Sequence, residues 1–126
     1  MIELHQGDCL EVMRLMADKS VDLVLTDPPY GIGIAKNPFR QKFEKKQWDN
    51  FIPSKKYFDE IIRISKHQVI WGGNYFSESL PPSRCFYIWD KVQPEKFSSA
   101  MVEMAWVSKQ SPAKMFKQRV TAFKKH

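Results

Sequence analysis

The chain has 126 residues, of which 43% are hydrophobic and 27% charged, with a formal net charge of +6. That balance is ordinary globular material of about one domain, neither disordered nor fibrous, and its basic excess favours a polyanionic partner. No apolar run approaches membrane-spanning length, and the start Met1-Ile2-Glu3-Leu4-His5-Gln6 carries an acid and no apolar core, so neither an anchor nor a signal peptide is expected. Cys9 and Cys85 lack metal-ligand spacing and suit buried free thiols in a reducing cytoplasm, while His5, His67 and His126 are too dispersed to indicate a metal site.

In chain order, Ile2 to His5 reads as a strand and Cys9 to Met16 as a short helix with Leu10, Met13 and Met16 inward. The apolar run Val21 to Thr26 predicts a strand covered on both faces. A long loop follows, about 31–52, in which Lys36, Arg40, Lys42, Lys45 and Lys46 are interleaved with Phe39, Phe43 and Trp48. Basic groups for phosphates and rings for unstacked bases fit a nucleic-acid surface, with Lys36, Arg40, Lys45, Lys46 and Trp48 as its candidate contacts. A helix is expected from Ser54, as cap, to about Ser65, with Phe58, Ile61, Ile62 and Ile64 on its apolar stripe. Then come a strand from Gln68 to Trp71, a Gly72-Gly73 turn, a short helix from Asn74 to Leu80 stopped by Pro81-Pro82, and a strand from Cys85 to Trp89. Val102 to Ser108 and Met115 to Val120 are read as an antiparallel pair turning at Ser111-Pro112. Lys114, Lys117, Arg119, Lys124 and Lys125 form a second basic run, either a solvated tail or a further phosphate-facing surface. Alternation of helix and strand over the first ninety or so residues predicts an α/β, Rossmann-like layer, a single domain over 1–126 with a mixed sheet.

The richest chemistry lies in Asp27-Pro28-Pro29-Tyr30, directly after the predicted strand Val21 to Thr26. In open α/β sheets ligands bind beyond the carboxyl ends of the strands. Proline fixes its own φ and restricts the residue before it, so the Asp27 carboxylate and the Pro28 carbonyl form stiffly held acceptors for an NH₂ group. Two acceptors drawing the protons of an aromatic amine out of plane localise its lone pair for attack, and Tyr30 offers a π-face to a planar base. The competing structural reading is a rigid Pro-Pro turn that closes a buried strand.

Asp-Pro-Pro-Tyr after an apolar strand resembles the catalytic motif of the DNA amino-methyltransferases. Gly7-Asp8-Cys9-Leu10, Trp71-Gly72-Gly73-Asn74-Tyr75-Phe76, Ile88-Trp89-Asp90-Lys91 and Glu103-Met104-Ala105-Trp106 match in the same order. Together they are similar to phage and bacterial adenine-specific enzymes whose catalytic half precedes the cofactor half. The resemblance implies a Rossmann-like S-adenosylmethionine-dependent methyltransferase and a restriction-modification type of DNA methylation. It implies Asp27, Pro28, Pro29 and Tyr30 as catalytic residues, and Asp8, Cys9 and Asp27 facing the methyl donor. Asp8 is nearly as well read as a simple helix cap. Gly72-Gly73-Asn74 either line the cleft or only make the turn, and at least two of Trp71, Trp89 and Trp106 serve as core or cleft wall more readily than as base-stacking platforms.

The family's cofactor loop, an aromatic or Pro-Phe before Gly-x-Gly, and its His-Pro-Thr-Gln-Lys-Pro stretch are both absent from these residues. The chain is therefore expected to be the catalytic half of a longer enzyme, its S-adenosylmethionine site completed by a complementary half. The expected partner is double-stranded DNA with the target base flipped out, since a stacked amine is out of reach. The expected reaction is methylation of the N6 amine of adenine. Alternatives are a cytosine-N4 methyltransferase, a glutamine side-chain methylase, whose motif typically begins with Asn, and a truncated nucleic-acid-binding remnant without activity.

Overall fold

The computed structural model describes residues 1–31 and 52–120. Helix α1 (Cys9–Arg14) begins where the Asp8 carboxylate accepts the Leu10 amide at 2.9 Å, and it buries Met13 with Leu10 and Met16 against it. Strand β1 (Val21–Thr26) leads to the motif. Helix α2 (Lys55–Ile64) follows Ser54, whose side chain makes no cap bond, and its apolar stripe buries Phe58, Ile61 and Ile64, with Ile62 half-buried. It passes straight into β2 (Ser65–Trp71), then a single 3₁₀ turn (Gly73–Tyr75), β3 (Cys85–Asp90), β4 (Val102–Val107) and β5 (Lys114–Lys117).

The two helices lock each other by their C-terminal ends. Arg63 on α2 donates to the Met13 and Met16 carbonyls at the end of α1, each at 2.8 Å, and Lys19, just past α1, donates to the Ile62 and Ser65 carbonyls at the end of α2. Cations on the last carbonyls of a helix satisfy orphan acceptors and oppose the negative end of its dipole. The buried polar groups Ser65 and Gln68 satisfy one another, Gln68 Nε2 donating to the Ser65 hydroxyl at 2.8 Å.

The five strands form one mixed sheet in the order β1-β2-β4-β3-β5. β1 and β2 are parallel, β4 is antiparallel to β2 and β3, and β5 is parallel to β3. The C-terminal ends of β1, β2 and β3 and the start of β4 therefore meet at one end of the sheet. The core lies between α1, α2 and one face of the sheet, with Phe58, Ile61, Ile70, Phe76 and Trp106 at its centre.

Five expectations are corrected. Ile2 to His5 is not a strand: Ile2 and Leu4 are exposed, because a strand needs a hydrogen-bonded neighbour and β1 pairs, among the described residues, with β2 alone. β1 is not covered on both faces, since Leu23 and Leu25 are exposed. Asn74 to Leu80 does not form a helix; after the 3₁₀ turn the amides of Ser79 and Leu80 both fold back on the Phe76 carbonyl. β4 and β5 do not pair, because the chain between them crosses the start of β3, where Ser111 Oγ and the Pro112 carbonyl meet the Cys85 thiol, and β3 takes the place between them. Of the two thiols, both free, Cys85 is buried but Cys9 is exposed on the first turn of α1. No helix among the described residues is long and apolar enough to cross a membrane.

Candidate active site at the strand ends

Asp27 leaves the end of β1 with its side chain exposed, while Pro28 is buried beneath it and Pro29 half-buried. The stiff turn thus anchors its backbone in the protein and presents the carboxylate outward. Tyr30 returns to the same place: its hydroxyl donates to Asp27 Oδ1 at 2.7 Å, a short, charge-assisted bond. Burial, and then the bond to Asp27 and the negative charges of Asp27 and Glu103, push the phenol far above its usual range, so it stays a donor at neutral pH.

β2 delivers the wall against which Tyr30 lies. Gly72, at φ +72°, caps the strand, and a Cβ there would overlap the Tyr30 ring, so glycine is needed both for the backbone and for the close approach. The Tyr30 ring stacks on Tyr75 with centroids 4.8 Å apart and meets Phe76 edge-on at 6.0 Å. One face of Tyr30 is thus already committed to Tyr75. Gly73 packs against Trp106 so tightly that a Cβ would overlap it.

β3 and β4 bring two residues to which the sequence reading gave no role. Glu103 Oε2 lies 3.3 Å from the Tyr30 hydroxyl, and its other oxygen pairs with Lys91 Nζ at 2.7 Å. The register Trp89↔Glu103 explains the meeting of two motifs that are far apart in sequence. The only signal in the sequence was a charged residue at the rim of each apolar strand.

Thr26, Tyr57 and Cys9 form the helix side of this end. Tyr57 Oη and Thr26 Oγ1 share a hydrogen bond at 3.3 Å, and Tyr57 titrates above its usual range, chiefly through burial, with a contribution from the nearby Cys9. Asp8 caps α1 with one carboxylate oxygen, so the structural role considered for it is realised. Between the 3₁₀ turn and Pro81-Pro82 a cleft of about 300 Å³ is lined by Gly73, Asn74, Leu80, Phe86, Met104 and Trp106, without a residue of the Asp27 to Tyr30 motif. Trp106 is core and cleft wall at once, its Nε1 donating to the Pro81 carbonyl at 2.9 Å, while Trp89 lies parallel to Phe116 near β5. Lys36, Arg40, Lys45, Lys46 and Trp48 lie outside the described residues. Among the described residues no group of three His, Cys, Asp or Glu side chains is placed to hold a metal ion.

The chain is similar to two bacterial methyltransferases. It is 30% identical over 80 residues to the type II methyltransferase M.BamHI of Bacillus amyloliquefaciens, a match covering 63% of this chain and 18% of that protein. Over 50 residues it is 36% identical to the type II methyltransferase M2.MboI of Moraxella bovis, covering 36% of this chain and 18% of that protein. The chain thus spans less than a fifth of the length of each of these relatives. No protein-family model matches it. A mixed α/β architecture with a five-stranded mixed sheet is compatible with a Rossmann-like methyltransferase fold.

Proposed function

We propose that this chain is the catalytic portion of an S-adenosylmethionine-dependent DNA methyltransferase that modifies the exocyclic N6 amine of adenine. The observation that carries the reading is the exposed Asp27 carboxylate, held by Tyr30 on a buried Pro28 turn where three parallel strands end. An oriented acceptor beside an aromatic wall is what an aromatic amine needs to become a nucleophile. The similarity to two type II methyltransferases supports the same reaction class.

In this reading Asp27 and the Pro28 carbonyl accept the two amine protons of a flipped base, which pyramidalises the nitrogen and aims its lone pair. Bound S-adenosylmethionine supplies an electrophilic methyl group. Holding the two reactants in line lowers the barrier by several kcal/mol without a covalent enzyme intermediate. Base stacking on Tyr30 uses the ring face not taken by Tyr75. Basic residues of the 36–48 segment contact the phosphates.

The residues present fit the reacting end of the methyl donor in one respect, the open carboxylate of Asp27, which follows Thr26 at the end of β1. Asp8, engaged with its own helix, retains one carboxylate oxygen for the adenosyl part. A complementary cofactor-binding segment supplies the remainder of that site.

The test is methyl transfer from labelled S-adenosylmethionine to duplex DNA by the full-length protein and its Asp27→Ala variant. The variant is expected to lose transfer while keeping its fold; an unchanged rate would sink the assignment. Oligonucleotides lacking adenine or lacking cytosine then decide which amine accepts the methyl group.

A further inference from the structure

We propose that Lys91 is a positioning residue for this site: by pairing with Glu103 it decides which of two carboxylates holds the Tyr30 hydroxyl, and so keeps Tyr30 on Asp27. The inference rests on the function proposed above and adds to it a side chain that touches neither substrate nor cofactor in that scheme.

The geometry sets a competition. One hydroxyl carries one proton, and the Tyr30 hydroxyl lies 2.7 Å from Asp27 and 3.3 Å from Glu103, a residue 73 positions downstream. Both acceptors are anionic, and Glu103 is the less exposed, its side chain 29% accessible. A carboxylate removed from water attracts a donor more strongly than one bathed in it. Left alone, Glu103 would draw the Tyr30 proton away from Asp27. Lys91 prevents this, because its ammonium sits 2.7 Å from Glu103 Oε1, is only 10% exposed and spends the charge of Glu103 within the protein.

Lys91 is itself held on two sides. Its amide donates to the Met101 carbonyl at 3.1 Å, tying the end of β3 to the segment entering β4, and its ammonium lies 5.8 Å from the centroid of the Trp89 ring. The Trp-Asp-Lys end of β3 and the Glu103 end of β4 thus form one device that meets Asp27 at the Tyr30 hydroxyl. An Asp27 carboxylate without its Tyr30 donor is free to rotate, and the acceptor geometry for the amine goes with it.

The test compares wild type, Lys91→Met and Lys91→Met/Glu103→Gln in the full-length protein by crystal structure, thermal unfolding and steady-state methyl transfer. In Lys91→Met the Tyr30 hydroxyl is expected to lie closer to Glu103 than to Asp27, and kcat to fall by up to about 100-fold, the scale of a misplaced reacting group. KM for DNA should stay within about twofold, since no DNA contact is lost. Adding Glu103→Gln removes the competing charge and the unpaired buried carboxylate together. It should therefore return Tyr30 to Asp27 and bring kcat back to within a few-fold of wild type. The double variant also keeps the test decisive if Lys91→Met does not fold.

A merely structural Lys91 gives a different pattern: Tm falls and recovers, but Tyr30 stays on Asp27 in every variant that folds, and that result overturns the proposal. Recovery of Tm in the double variant without recovery of kcat overturns it as well. The crystallographic readout needs no turnover, so it stands even if Asp27→Ala shows the proposed reaction to be wrong.

Discussion

At its β1 edge the two faces of the sheet are made from the same kinds of residue and are treated in opposite ways. On one face Ile70 and Trp106 are buried under α1 and α2, at 0% and 5% exposure, with Val24 packed beside them. On the other, Leu23 and Leu25 remain 48% and 64% exposed, and Val69 and Trp71 are only half-buried. Alternate residues of a strand point to opposite faces, so this split runs down the middle of the apolar run Val21 to Thr26. The lesson is that an apolar strand records which surfaces favour burial, whereas the cover itself is a tertiary matter. Among the described residues α1 and α2 cover one face throughout, whereas the other is open at β1 and closed further along, where Val107, Ala105 and Cys85 are 3%, 0% and 0% exposed.

The comparison breaks most readily at Phe58. This ring is fully buried, packs edge-on to Tyr57 at 5.1 Å and lies 4.9 Å from Phe76, whose own ring supports Tyr30. Phe58→Ala is expected to cost about 3–5 kcal/mol in denaturant-derived stability, through lost burial and the cavity left behind. Leu25→Ser on the opposite face should change stability by about 0.5 kcal/mol or less, the scale of a surface substitution. A loss at Leu25 as large as that at Phe58 would show that the second face is covered at β1 after all. The pair of variants therefore measures how different the faces are, not only that they differ.

The same contrast explains what the sequence made legible. Local signals placed β1 at Val21–Thr26, α2 to within a residue at either end, and the motif at a strand terminus, because each rests on periodicity or on proline and glycine at fixed positions. The four chain termini of the strands that frame the site follow from that reading once strand directions are known. What was not legible depended on partners. The strand expected at Ile2 to His5 has no neighbour among the described residues, and the pairing expected for the last two strands lost to β3, which separates them. Helix expectations failed over 74–80, where Asn74, Ser77 and Ser79 are weak helix formers and backbone turns compete. The roles of Lys91 and Glu103 are not legible locally, since only an antiparallel register with β3 brings Glu103 to Tyr30.

The smallest expected effect sits at the open rim of the sheet, where neither face is in question. Lys66 Nζ donates to Asp22 Oδ1 at 2.9 Å, with side chains 57% and 90% exposed. The hydrogen bond to Lys66, followed by its charge, holds the Asp22 carboxyl below its usual value of 3.8. A carboxyl whose pKa is lower in the folded chain contributes stability above the unfolded value and loses it as pH falls through the folded one. Lys66→Ala should therefore lower Tm slightly near neutral pH and not at all in strong acid, where Asp22 is protonated in both proteins. Added salt should close the neutral-pH gap, because an exposed pair is screened within about 10 Å at 0.1 M. A gap that persists at high salt, or that widens in acid, would mean that Lys66 acts through packing on β2 and not through Asp22. The rim would then belong energetically with the covered face, and the line between the two faces would have to be drawn further out along β1.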